Sequence, residues 1–106
     1  LADGEEKVVM AKFHADWCQW CRKMDRETFG DESVRQSLKA FIPVRINVDD
    51  PEGLALARKV GVVSIPTVVF FDSSGEVIGK YAGYQSPREM KKILKRHARR
   101  RASNLK

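Results

Sequence analysis

The stretch that decides the fold is FHADWCQWC, residues 13–21, in which Cys18 and Cys21 form a Cys-x-x-Cys pair. It continues a β-prone run, Val8–Phe13, and precedes a pattern that predicts a helix opening near Cys18, with Asp16 as its N-cap. A strand leading directly into a helix that carries this pair is typical of redox-active cysteines. The pair alone is only moderately specific, because half of a zinc ribbon or two structural cysteines would look the same.

The position of the pair at a helix start also predicts a division of labour between the two thiols. Unpaired N–H groups and the positive end of the helix dipole favour the thiolate of Cys18, which is the reactive form of the side chain. Cys21 lies one turn deeper, and we expect it to be more buried. Cys18 would then attack a partner disulfide, and Cys21 would resolve the resulting mixed disulfide.

Composition limits the alternatives. A chain of 106 residues with 42% hydrophobic residues is the size of one domain, and we expect residues 1–106 to form it. Two cysteines are too few for a secreted disulfide scaffold and for a closed zinc site, which needs four ligands. No apolar run approaches the ~20 residues of a membrane span. Residues 1–7 are polar and acidic, so no signal peptide is visible.

The positive charge is concentrated at one end of the chain. The net charge is +6, but residues 91–106 carry eight cations and no acid, and the rest of the chain has 12 basic against 14 acidic residues. The run suits a solvated helix end, because cations stabilise a helix C-terminus. A contact with an acidic partner, a membrane surface or nucleic acid is the alternative. We favour the helix end, because no aromatic residue interrupts the run.

The rest of the pattern completes a β-α-β-α-β-β-α order. Helix crossovers predict parallel pairing between the first strands, with a hairpin added at the end. A Ser86–Glu89 capping box with Pro87 predicts the start of the last helix, and Gly61 predicts the end of the middle one. The predicted elements are strands at 41–48, 67–71 and 76–81, a turn at 72–75, and helices at 18–29, 33–38, 51–60 and from 87.

Pro66 stands immediately before the third predicted strand, in the segment VSIPT of residues 63–67. A trans proline is tolerated at a strand edge. A cis proline would instead be a fixed feature of a tight turn. The sequence does not distinguish the two isomers.

With these motifs in place, the chain resembles the thioredoxin-like family over nearly its whole length. Within that family it resembles most the C-terminal domain of DsbD-type thiol:disulfide interchange proteins, because ordinary thioredoxins lack a segment like ETFGD. The segments that carry the resemblance are 13–21, RINVD at 45–49, GVVSIPT at 61–67, GEV at 75–77, YAG at 81–83 and ETFGD at 27–31.

The resemblance implies an α/β protein with a minimal thioredoxin fold: a central mixed four-stranded sheet with helices on both faces. Residues 1–7 are too short to supply the first strand and helix of full thioredoxins, so the alternative is a fragment of a longer protein. It also implies that Pro66 is a cis proline facing Cys18 and that the backbone of Ile65 pairs with an extended substrate. Gly83 would let that substrate approach closely, and Trp17 would pack beside the thiols.

The chain departs from the family pattern between and beneath the cysteines. Gln19 and Trp20 replace the Gly-Pro of ordinary thioredoxins, and we expect Trp20 either to contact partners or to cover the motif. Lys12 stands where the family usually has a buried aspartate, and Arg45 where it often has a lysine. Two cations near Cys21 would stabilise its thiolate and hence the reduced form.

Asp25, one turn after Cys21, is the candidate acid that compensates Lys12. Our hypothesis is that it pairs with Lys12 and takes over proton handling. The alternative is that Lys12 reaches solvent and Asp25 is a plain surface acid. His14 stands where the family often has an aromatic residue, and we expect it to fill that packing position rather than to add charge.

These observations predict a thiol:disulfide oxidoreductase, acting as a reductase on protein disulfides. An oxidase or isomerase, a peptide-binding module that uses the Pro66 loop, and a metal or iron–sulfur site shared with another molecule remain alternatives. We expect no cofactor beyond the Cys18–Cys21 disulfide, an upstream thiol reductant as a second partner, no nucleic acid, and a monomer. The resemblance favours the periplasm or cell envelope, and the cytoplasm is the alternative.

Overall fold

The structure is a computed structural model that describes the backbone of residues 7–104 and the side chains of residues 7–98. Residues 1–6 and the basic side chains beyond 98 lie outside that part, so the expectations for them stay predictions. A short 3-10 turn at Leu38–Ala40 joins the second helix to the second strand. The elements are β1 Val8–His14, α1 Gln19–Glu27, α2 Glu32–Ser37, β2 Phe41–Asn47, α3 Pro51–Lys59, β3 Thr67–Phe71, β4 Val77–Ala82 and α4 Pro87–Asn104.

The four strands form one mixed sheet in the order β2-β1-β3-β4. β1 and β2 are parallel, whereas β3 is antiparallel to both β1 and β4. The predicted parallel pairing is therefore correct for β1 and β2 and wrong for β3. Residues 60–66 bring the chain back to the end of the sheet where β1 finishes, so that Thr67, which opens β3, pairs with Phe13. From that end, β3 can only run against β1.

Side chains alternate along β1 and β3, so both faces of the sheet carry apolar residues, and helices cover both faces. On one face a core of buried residues joins these two strands to α1, α2 and α4. On the other face, Ala11, Phe13 and Val69 pack against Ala57 of α3. The larger core contains Val8, Met10, Met24, Val34, Phe41, Val68, Phe70, Met90, Ile93 and Leu94. Helices thus lie on both faces, as expected.

Local signals set most helix starts. Glu89 N–H donates to Ser86 Oγ and Ser86 N–H donates to Glu89 Oε1, both at 3.1 Å, which confirms the predicted capping box at α4. At α2, the Asp31 carboxylate accepts from Val34 N–H at 3.1 Å. Gly61 has a left-handed φ of 77° just after the end of α3, as predicted.

The predicted N-cap of α1 is wrong. Cys18, not Asp16, caps this helix: its Sγ accepts a hydrogen bond from Cys21 N–H at 3.1 Å. Cys18 N–H donates to Ala15 O at 3.2 Å, which closes a turn before the helix. Asp16 is exposed within that turn, and the helix begins only after Cys18. The helix also ends at Glu27 rather than at Phe29, because Phe29 N–H turns back to Met24 O at 3.0 Å.

Candidate active site

Cys18 and Cys21 lie where β1 ends and α1 begins, and they form a disulfide with their Cα atoms 5.2 Å apart. Cys18 is 6% exposed and Cys21 is 2% exposed, so the second cysteine is the more buried, as expected. Because Cys18 is the N-cap, its sulfur lies at the helix start, where it accepts from Cys21 N–H. Negative charge on this sulfur is therefore stabilised by the helix start, which suits a thiolate that attacks disulfides.

The loop before β3 lies against the disulfide. The Ile65–Pro66 peptide bond is cis. Ile65 packs on the buried cluster formed by Ala15, Cys18 and Cys21. Pro66 O accepts a hydrogen bond from Gly83 N–H at 2.8 Å, which ties the loop to the end of β4. Gly83 has a φ of 90°, a conformation that favours glycine.

Within residues 7–98, neither the backbone N–H nor the C=O of Ile65 has a hydrogen-bond partner. Backbone groups that are left unpaired beside an exposed sheet end can pair with an incoming extended chain.

An aromatic cleft of about 330 Å³ opens beside this loop, lined by Trp20, Ile65, Pro66, Gly83 and Tyr84. The rings of Trp20 and Tyr84 meet with centroids 5.7 Å apart at 57°. Tyr84 donates its hydroxyl hydrogen to Glu27 at 2.7 Å, and this bond raises the pKa of Tyr84. Trp20 is 57% exposed and forms one wall of the cleft.

An apolar groove of about 390 Å³ lies on the other side of the loop, and Trp17, Leu54, Val63 and Ile65 are among the residues that line it. Trp17 is held by a hydrogen bond from Nε1 to Asp49 at 3.1 Å. The structure places the Trp17 indole on the rim of this groove, 65% exposed, and not in the buried cluster around the sulfur atoms. Val63 is 95% exposed on the same surface.

A charged cluster lies beneath the site, where β1 and β2 face α1. Lys12 is 5% exposed, and its ammonium donates to Asp25 and lies 4.8 Å from the ring centroid of Phe29. Arg45, which pairs with Lys12 across the strands, donates to the other oxygen of Asp25 at 3.4 Å. The Asp25 side chain is 31% exposed. Lys12 thus pairs with Asp25 and does not reach solvent.

Burial dominates the titration of this cluster. Burial lowers the pKa of Lys12, the hydrogen bond and charge of Asp25 oppose that shift, and Arg45 adds to it. The pKa of His14 is also lowered, first by burial and then by the charges of Arg45 and Lys12. His14 is 7% exposed and therefore occupies a packing position, in its neutral form at pH 7.

Three residues of this region had no predicted role. Tyr84, Lys23 and Asp49 contact the tryptophans on either side of the cysteines. The one available signal was an aromatic residue directly after Gly83 in a loop near the site. Contacts between such distant parts of the chain cannot be read from local patterns.

In the part of the chain with described side chains, no cluster of three or more His, Cys, Asp or Glu side chains could hold a metal ion. Among the described helices, none combines the length and the apolar character needed to cross a bilayer.

Comparison with known proteins agrees with this geometry. A family model described as a thioredoxin-like domain matches residues 1–98. The thiol:disulfide interchange protein DsbD of Salmonella paratyphi A is 36% identical over 78 residues, which are 72% of this chain and 14% of the relative. DsbD of Escherichia coli K12 is 33% identical over 78 residues, with the same coverage. The chain thus matches a small part of these curated relatives.

Solved structures give the same likeness. A thioredoxin from Thermus thermophilus superposes with a TM-score of 0.76 at 34% identity, covering 85% of this chain and 72% of that one. The reduced C-terminal domain of Neisseria meningitidis DsbD superposes with a TM-score of 0.71 at 24% identity, covering 88% of this chain and 83% of that one.

Proposed function

The chain belongs to the thioredoxin-like family, and on this premise we propose that it reduces disulfides of protein partners through Cys18 and Cys21. The comparisons confirm the family resemblance, and the structure confirms the four-stranded sheet that was expected from the sequence. Thiol:disulfide interchange is the chemistry named for its DsbD relatives. The observation that carries the proposal is the position of the Cys18 sulfur, which caps α1, can bond to Cys21 and lies beside the Pro66 loop.

The reaction balances with the two cysteines alone. In the dithiol form, the Cys18 thiolate attacks one sulfur of the partner disulfide, the partner S–S bond breaks, and the other partner sulfur leaves as a thiolate that takes up a proton. Cys21 then loses its proton and attacks Cys18, which releases the second partner thiol and closes the Cys18–Cys21 disulfide. Two electrons pass to the partner, and an upstream thiol reductant returns them. This cycle requires no further cofactor.

We propose that the partner binds as an extended segment along the Pro66 loop. The unpaired backbone groups of Ile65 support this mode, because they can add a strand-like pair of hydrogen bonds to the partner. Gly83 has no side chain to obstruct the segment. Trp20 and Trp17, on opposite sides of the loop, offer apolar surface to the residues that flank the partner's cysteine.

We assign proton handling at Cys21 to Asp25, acting together with Lys12. Asp25 lies one helical turn after Cys21 and is the acid that the Lys12 ammonium contacts. Titration of the thiols in Asp25→Asn, followed by NMR, tests this assignment. We expect a shifted titration of Cys21, and an unchanged one would remove Asp25 from the mechanism.

The proposed direction is reduction, and Asp25 supports it. A cysteine pair whose reduced form is stabilised acts as an oxidant, as in DsbA. Cations near Cys21 would stabilise its thiolate and so push this pair towards the oxidant end of the scale. Asp25 offsets the charge of Lys12 and so limits that stabilisation. We expect a reduction potential nearer to about −270 mV, as in thioredoxin, than to about −120 mV, as in DsbA. Equilibration with glutathione measures it, and a value near the DsbA end would assign the oxidase alternative.

The activity itself is tested by reduction of insulin with dithiothreitol as electron source. Cys18→Ser should abolish catalysis, and full activity in that variant would overturn the proposal. Because the chain has only two cysteines, Cys21→Ser leaves Cys18 as the sole thiol. We expect that variant to accumulate a mixed disulfide with the substrate, visible by mass spectrometry. A peptide-binding module without redox function would bind peptide equally well in both variants and would form no such adduct.

We place the protein in the periplasm or cell envelope as a monomer, and its resemblance to DsbD-type domains supports that location. Fractionation of cells that express the natural full-length protein tests the location, with the cytoplasm as the competing outcome. Light scattering of the purified chain tests the monomer.

A further inference from the structure

The solvent-facing side of α1, next to the cysteines, carries three cations. Arg22, Lys23 and Arg26 lie with Gln19 and Trp20 around an open depression of about 420 Å³, and we call these five residues the basic face of α1. Arg22 and Arg26 are exposed, and Lys23 is half-buried.

These three charges are not neutralised locally. Within residues 7–98, no carboxylate lies within 4.0 Å of any of them, and the ion pairs found there all involve Asp25. Arg22 donates to the backbone carbonyl of Asp16, which carries no net charge. The Lys23 ammonium lies 5.1 Å from the ring centroid of Trp20 and 5.6 Å from that of Tyr84, so its contacts are with neutral rings.

The basic face is continuous with the redox site. Gln19 and Trp20 belong to it and also separate the two cysteines in the sequence. A partner whose sulfur reaches Cys18 must therefore place some of its flanking residues near this face. On the other side of the cysteines, Trp17 donates a hydrogen bond to an exposed acid, Asp49. The three cations thus lie on the α1 side of the site.

We propose that the basic face of α1 selects partner proteins with acidic residues beside the disulfide, on the side that meets α1. This inference rests on the proposed function and specifies its substrate class. Complementary charge raises the rate of productive encounter, by about 10-fold to 1,000-fold in strongly steered systems. Salt suppresses the effect, because the screening length falls from about 30 Å at 0.01 M to about 3 Å at 1 M.

Small disulfides of different charge provide the test. The reduced protein is mixed with oxidised glutathione, which is anionic, with cystamine, which is cationic, or with neutral bis(2-hydroxyethyl) disulfide. The neutral compound reports the reactivity of Cys18 itself, and the other two rate constants are divided by its rate constant. We then compare the ratio of anionic to cationic rate constants between variants, so that the differing chemistry of the two disulfides cancels.

Arg22→Gln/Arg26→Gln removes two charges and keeps residues that favour helix. We expect the ratio to fall by about tenfold at low ionic strength, with the difference largely lost at 0.5 M salt. Arg22→Glu/Arg26→Glu should lower it further.

The matched control is Arg35→Gln/Lys39→Gln, which removes the same charge from two exposed residues. Lys39 lies two residues before Phe41, which pairs with Val8 at the start of β1. The cysteines follow the other end of that strand, and the two ends of β1 are about 20 Å apart. The control should change the ratio less than about twofold.

Three results would overturn the inference while leaving the proposed function intact. The ratio could be unchanged in both α1 variants, it could fall equally in the control, or its change could be the same at low and high salt. A wild-type protein that reduces none of the three disulfides would overturn the proposed function and the inference with it.

Discussion

Replacing Asp25 with Asn should destabilise the protein more than replacing Lys12 with Met, although both changes break the same ion pair. Lys12 is 5% exposed, so loss of Asp25 leaves a buried ammonium without an anion. Asp25 is 31% exposed and keeps Arg45 at 3.4 Å, so loss of Lys12 leaves a carboxylate that water and Arg45 still stabilise. Methionine also preserves most of the apolar stem of lysine.

The magnitude follows from how deeply each partner is buried. Breaking a fully buried ion pair lowers the free energy of unfolding by about 3–5 kcal/mol. Because Asp25 is partly exposed, we expect Asp25→Asn to lower it by about 2 kcal/mol. For Lys12→Met we expect less than about 1 kcal/mol. In a domain of this size, 1 kcal/mol shifts Tm by about 4–8 °C, so Asp25→Asn should lower Tm by roughly 10 °C.

The loss of stability in Asp25→Asn should depend on pH, in a direction set by the pKa of Lys12. Burial already lowers the pKa of Lys12 below its ordinary value of 10.5, and removing the opposing Asp25 lowers that pKa further. Between the folded pKa and 10.5, the unfolded chain binds more protons than the folded one, so stability rises with pH across that window. The deficit of Asp25→Asn should therefore shrink as pH rises towards 10.5.

Denaturant unfolding of the oxidised protein between pH 7 and 10 measures this, because the disulfide-bonded cysteines do not titrate there. The control is Lys12→Met/Asp25→Asn, which lacks the buried ammonium and should show no recovery with pH. Equal costs for the two single variants, or a deficit in Asp25→Asn that does not change with pH, would refute the claim that Asp25 compensates a buried charge.

Three further predictions concern other parts of the fold. NMR titration should give His14 a pKa below 6.5, and because its folded pKa is depressed, the wild type should lose stability relative to His14→Phe as pH falls through 6.5. Ser86→Ala should cost about 1 kcal/mol in denaturant unfolding, because it removes the cap of α4. Gly53→Ala should cost more than Gly75→Ala, by calorimetry. A Cβ at Gly53 would lie 2.0 Å from the backbone O of Asn47, whereas at Gly75 nothing lies within 4 Å and only a φ of 92° must be accommodated, at about 1–2 kcal/mol.

Features set by neighbouring residues could be predicted from the sequence. The Ser86–Glu89 box fixed the start of α4, and the apolar run Thr67–Phe71 fixed the bounds of β3. The cap of α1 could not be read, because a turn closed by Ala15 competes with the helix start that Asp16 offered. The two candidate caps lie only two positions apart, and the usual preference for Asp at an N-cap favoured the wrong one.

Features set by distant residues were predicted only where the family pattern supplied them. The Lys12–Asp25 pair was expected because a lysine in place of a buried acid demands a nearby anion. The direction of β3 depends on how residues 60–66 return from α3, and no local preference encodes it. The meeting of Trp20 with Tyr84 joins residues far apart in the chain, so the aromatic cleft emerged only with the fold.

The faces of α1 separate the tasks of the site. Cys21 and Met24 are buried on its inner side, Asp25 turns towards Lys12 of the sheet, and Arg22 and Arg26 face solvent. Because the Asp25 carboxylate pairs with sheet residues and not with the arginines of its own helix, changing the exposed arginines leaves the buried charge compensated. Partner choice on the outer face and the thiol environment on the inner face can therefore vary independently, even though a single nine-residue helix carries both.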